Sequence, residues 1–104
     1  MSVDDQPTSQ HSRVIRQNYN WLTEKLDLDS GLLSSLYEKD VLSRREHSQI
    51  SSEREQFVKN EILLGIIIRK SVEHFENFKI ALKETSQRHI TERLEETPVG
   101  MLLS

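Results

Sequence analysis

From residue 8 to residue 97 the chain contains no proline, and its apolar residues recur at helical rather than strand spacing. Proline inside a helix removes a backbone donor and clashes with the preceding turn, so a stretch this long without one leaves helices free to form. Ile15, Tyr19, Leu22 and Leu26 stand at i, i+4, i+7 and i+11, one stripe of a 3.6-residue period. β-branched and aromatic residues do not alternate at period two over any useful stretch, which disfavours sheet. No repeat of fixed period is visible. These signals predict an all-α fold.

Six helices are predicted from periodicity and caps. The first runs from about Ser12 to Asp27, and the second from about Ser30 to Lys39 with Leu32, Leu33 and Leu36 inward. Val41-Leu42 is a short apolar link. Ser43-Arg44-Arg45-Glu46 matches the capping box, in which serine accepts the amide three residues on and glutamate reaches back. It opens a short third helix to about Ile50. Ser52-Glu53-Arg54-Glu55 has the same form and is expected to open the fourth helix, to about Lys70. Ser71 is a candidate cap for the fifth, with Phe75, Phe78 and Leu82 on one side. Ser86 or Thr85 would cap the sixth, with Ile90 and Leu94 facing inward. Residues 1–11, polar and without periodicity, read as a flexible amino-terminal arm. Thr97-Pro98-Val99-Gly100 stops the last helix, and residues 97–104 read as a tail or the start of a linker.

The fourth predicted helix is apolar on more than one side. Phe57, Leu63, Leu64, Ile67 and Ile68 fall in one broad arc, the expected core face, while Ile62 and Ile66 fall on the side of Glu55 and Lys59. Such a helix is central in its bundle or has a second partner. Burying an isoleucine is worth about 1.5–3 kcal/mol, so two left exposed without use would be a poor arrangement. Either they touch the first or fifth helix, or they form an apolar contact for another molecule. Trp21 lies off the core stripe of the first helix, and is either half-buried packing or an aromatic anchor at an interface.

The length of 104 residues fits one domain. With no cysteine there is no disulfide scaffold, thiolate zinc site or cysteine nucleophile. The four histidines, His11, His47, His74 and His89, have no metal-ligand spacing. Three isolated glycines cannot make a phosphate cradle, and no nucleophile elbow is present. No enzyme, cofactor or metal is therefore expected. Lys and Arg number 14 against 17 Asp and Glu, a formal net charge of −3, so the basic surplus of a nucleic-acid binder is missing. A helix-turn-helix over residues 30–50 would rest on Arg44 and Arg45, offset by Glu38, Asp40 and Glu46. The longest apolar run, Ile62 to Ile68, is far short of the ~20 residues that span a membrane, and no signal-peptide pattern opens the chain.

The order of segments then resembles the caspase recruitment domain, or CARD, of the death-fold superfamily. The likeness lies in VIRQNYNWLTEKL, in LLSSLYEKDVLSRREHSQI, and in EILLGIIIRKSVEHFENFKIALKET. The family's asparagine-x-x-x-leucine falls on Asn18 to Leu22. Its leucine-leucine-x-x-leucine…valine-leucine falls on Leu32 to Leu42, and its phenylalanine-x-x-phenylalanine-x-x-alanine-leucine-x-glutamate on Phe75 to Glu84. The match covers about residues 12–96, and FENFKIALKETSQRHITERL looks most like initiator caspase prodomains. Ser71 replaces a glycine common before the fifth helix, and Tyr19 replaces a basic residue common in the first.

The resemblance implies a six-helix antiparallel bundle with Greek-key winding and allows a kink in the first helix. It also implies a cytoplasmic, non-enzymatic module that binds another CARD, in a caspase, scaffold or adaptor of apoptosis signalling, with self-assembly into helical oligomers. A CARD of an innate-immune receptor or adaptor, or a CARD-only regulator, fits the same residues, and a helical nucleic-acid-binding domain is the alternative of another class. A cut from the amino-terminal end of an initiator caspase or apoptosome-type scaffold is also compatible. In the family, basic residues of helices one and four meet acidic residues of helices two and three. Carried onto this chain, the basic face is Arg13, Arg16, Lys25, Arg54 and Lys59, and the acidic face is Glu38, Asp40 and Glu46.

Overall fold

The computed structural model describes residues 10–98, and among these the chain is helical with no strand. In order come α1 (Gln10–Gln17), α2 (Tyr19–Lys25), a 3-10 turn (Leu28–Ser30), α3 (Leu32–Glu38), α4 (Arg44–Ser51), α5 (Gln56–Arg69), α6 (Val72–Glu84) and α7 (Arg88–Glu96). Seven α-helices thus stand where six were predicted. The extra one arises at Asn18, whose backbone (φ −109°, ψ 16°) divides the first predicted helix. Asn18 Nδ2 donates to Val14 O at 2.9 Å, while its backbone N–H turns to Ile15 O. A side-chain amide that takes the carbonyl one turn back displaces the backbone bond of a continuous helix.

Two of the predicted caps form and two do not. Ser43 Oγ accepts from Glu46 N and Glu46 Oε1 from Ser43 N, which completes the box that starts α4. Ser71 Oγ likewise accepts from His74 N at the start of α6. Ser52 instead closes α4: its backbone N–H donates to Ser48 O and its hydroxyl to Gln49 O. The next helix therefore waits until Gln56, with Glu55 as an N-cap that makes no side-chain bond. Thr85 and Ser86 are similarly claimed by the end of α6, and α7 starts after Gln87.

The ends of α3 and α6 share one device. Asp40 (φ 62°) and Ser86 (φ 67°) adopt the left-handed conformation just past their helices. Val41 N then reaches Leu36 O at 2.9 Å, and Gln87 N reaches Leu82 O at 2.8 Å. These are the long bonds of a Schellman ending, a position that usually takes glycine. The turn drops Val41 and Leu42 into the core.

α5 is the central element. It packs against α1, α2 and α4, while α3 lies on α6 and α6 on α7. Leu63, Leu64 and Ile67 are buried as expected, and Ile66, at 4% exposure, is buried with them in a helix that has several neighbours. Phe57, placed on the core face by the wheel, is 51% exposed: it stands in the first turn of α5, where Gln56 rather than Phe57 turns to α2 and bonds Leu26 O. Ile62 and Ile68 are half-buried at the core margin. No helix among the described residues is long and apolar enough to cross a membrane.

The expected arm and tail lie largely outside the described residues. Within them, α1 already begins at Gln10, and His11 is only 5% exposed. The His11 ring stacks on Phe75 with centroids 5.1 Å apart, and Nε2 lies 2.9 Å from Lys70 O. Because a carbonyl only accepts, Nε2 carries the hydrogen. His11 therefore belongs to the fold rather than to the arm.

Candidate docking surfaces

Polar clamps set the angles at which α1, α2 and α3 present their surfaces. Asn60, fully buried on α5, donates from Nδ2 to Thr23 O at 2.9 Å and Leu26 O at 3.1 Å, pinning the end of α2. Gln87 holds the following loop: Nε2 donates to Asp27 O and Ser30 Oγ, and Oε1 accepts from Asp27 N. At the α1–α2 break, Asn18 Oδ1 accepts from Arg93 Nε at 2.9 Å, and the Arg93 guanidinium lies 4.3 Å from the centre of the Trp21 ring. Trp21 is half-buried against the core, the packing role named for it. Asn60 carries a sequence signal, since it shares the i, i+3, i+4, i+7 stripe with Leu63, Leu64 and Ile67. Gln87 and Arg93 carry none, because their partners lie far away in sequence.

On that frame the candidate charges separate into free and engaged groups. Arg13 and Arg16 are exposed on α1, Lys25 is exposed on α2, and Arg54 is exposed in the loop before α5 rather than on a helix. None of these four takes part in an ion pair among the described residues. Lys59, half-buried on α5, lies 4.0 Å from Asp29. α1 and α2 both pack on α5, so the basic candidates occupy neighbouring elements.

The acidic set is smaller than expected. Glu38 ends α3 and Asp40 stands in the left-handed turn after it; both are exposed and neither has an ion pair among the described residues. Glu46 is half-buried, with Oε1 2.9 Å from both Ser43 N and Lys70 Nζ. Burial alone would raise its pKa. The Ser43 and Lys70 bonds and the Lys70 charge outweigh that and hold the carboxyl below its ordinary value. On α2, burial and then the Glu61 charge push the Tyr19 phenol above its ordinary value, so it stays neutral.

Ile66 is packed in the core and offers no apolar contact, which corrects its place among the candidates. Ile62 is partly buried against the core margin. Among the described residues, the large apolar side chains that do reach the surface are Tyr37, Phe57, Val72 and Ile80. Among the described residues, no group of His, Asp and Glu gathers as metal ligands do.

The bundle thus exposes charges of both signs that make no ion pair among the described residues. The sequence model of the caspase recruitment domain matches residues 12–97, nearly the whole described fold. The chain belongs to the CARD family. Its members are interaction domains rather than catalysts, and they bind other CARD or death-fold domains homotypically.

Proposed function

We propose that this CARD recruits or regulates a caspase or an adaptor in cytoplasmic apoptosis signalling, by pairing the α1–α2 cations of one domain with the α3-end carboxylates of another. The observation that carries the reading is the separation of free charges on one chain. Arg13, Arg16 and Lys25 stand on α1 and α2, Glu38 and Asp40 at the end of α3, and none is neutralised internally among the described residues. A surface with both signs can meet a sibling head to tail, and a contact of that kind repeats because it does not close. Engagement of Glu46 and Lys59 leaves Arg16 and Asp40 as the charges best placed to test. The test titrates the labelled domain with purified CARDs of initiator caspases and adaptors, and with a second copy of itself. At least one should bind, with Arg16→Glu or Asp40→Arg weakening it about 10-fold. Failure of every CARD to bind, or wild-type affinity in both variants, would reject the reading.

A further inference from the structure

Thr97 closes α7 and touches the most strategic joint of the fold. Its Oγ1 donates to Arg93 O at 2.7 Å and accepts from Asn18 Nδ2 at 2.8 Å. Asn18 is the residue that divides α1 from α2. Thr97 thereby completes a latch of four residues, Asn18, Trp21, Arg93 and Thr97, tying the end of the last helix to the break that orients Arg13 and Arg16 against Lys25. Thr97 lines an open cavity of about 340 Å³ together with Gln17, Asn18, Arg93, Glu96 and Pro98.

Thr97 is followed by the exposed Pro98, which holds it extended (φ −71°, ψ 120°). Thr97 thus leaves the helix at its last turn, and a hydroxyl residue in extended conformation directly before a proline is the central pair that a proline-directed kinase reads. The other proline, Pro7, follows glutamine, so Thr97-Pro98 is the single pair of this kind in the sequence.

We propose that Thr97 is a phosphorylation site for a proline-directed protein kinase and that the phosphate opens the latch. Thr97 Oγ attacks the γ-phosphorus of ATP held by the kinase. The Oγ–P bond forms, the bond from that phosphorus to the bridging oxygen of ADP breaks, and the hydroxyl proton passes to the kinase's base. The product loses the donor that bonded Arg93 O. It also sets a near-dianion at the negative end of α7 beside Glu95 and Glu96, which destabilises the helix end that Thr97 closes. Arg93, which lines the same cavity, exchanges the neutral Asn18 carbonyl for the stronger charge-assisted bond and leaves the Trp21 ring. The effect on partner binding rests on the docking reading above, because the displaced joint sets the basic surface of that reading.

The test incubates the 104-residue chain with magnesium ATP and a purified mitogen-activated-type kinase, then maps phosphate by mass spectrometry. One phosphate on Thr97 is expected, absent in Thr97→Ala and strongly reduced in Pro98→Ala, whose side chain is exposed and whose fold should persist. Trp21 is the sole tryptophan, so its emission reports the latch directly and should shift to the red on phosphorylation. Binding to a partner CARD should weaken about 5-fold or more. No phosphate on Thr97, undiminished phosphate in Pro98→Ala, or unchanged Trp21 emission would overturn the proposal. If the unmodified chain binds no CARD, the docking reading fails, while the mass and Trp21 results still decide this one.

Discussion

Glu46 was named as a docking carboxylate, yet its side chain is turned inward onto Ser43 and Lys70. The local half of that outcome was legible, because the capping box is written in Ser43-Arg44-Arg45-Glu46. The other half was not, since Lys70 approaches only once α4 packs on α5. Because the folded carboxyl titrates below its ordinary value, its stabilisation is complete above the unfolded pKa of about 4.3 and is lost as pH falls through the folded one. Stability of the domain should therefore decline below the ordinary carboxylate range. Glu46→Gln should flatten that part of the curve in urea denaturation across pH 2–6, a range chosen to bracket the ordinary carboxylate value. An identical slope in the variant would deny Glu46 this role. At Ser86 the left-handed backbone is a strain that glycine would relieve. Ser86→Gly is expected to stabilise by about 0.5–1 kcal/mol, read as a rise of a few degrees in Tm. A fall in Tm would mean the Ser86 side chain contributes more than the strain costs.

At the scale of elements, periodicity revealed which segments are helical, and the Ser43 and Ser71 caps were readable where they open α4 and α6. Ser52 and Ser86 misled because a serine beside two helices can close the earlier as readily as open the later. A wheel drawn on α5 also assumes a single partner, whereas α5 has neighbours on several sides. That is why Ile66 is buried, while Phe57, in the first turn, is exposed. The two should part under mutation. Ile66→Ala should cost about 2–4 kcal/mol through lost burial and a residual cavity, whereas Phe57→Ala should stay within about 0.5 kcal/mol. Chemical denaturation of both variants measures the contrast, and similar losses would place Phe57 in the core after all.

For the whole molecule, helical periodicity carried the all-α class and the order of motifs carried the family likeness, with which the match over residues 12–97 agrees. The division at Asn18 was beyond reach of periodicity, because the stripe Ile15, Tyr19, Leu22, Leu26 runs through it undisturbed. Only the convergence of Val14, Arg93 and Thr97 on the Asn18 side chain gives the break a cause. The charges expected at an interface were legible as residue types, but which of them remain free depends on contacts distant in sequence. Among the described residues Arg16 and Asp40 make no ion pair, whereas Lys59 and Glu46 do.

Charge-paired docking is screened by salt and is restored when both signs are exchanged together. The most direct measurement is a binding titration against the partner CARD in low and high salt, using wild type, Arg16→Glu, and Arg16→Glu paired with a partner whose facing acid is made basic. Affinity should fall with salt for wild type, fall further for Arg16→Glu, and recover in the exchanged pair. Binding that is indifferent to salt or strengthened by it, with no recovery in the exchanged pair, would contradict the account and shift the contact to the exposed apolar side chains.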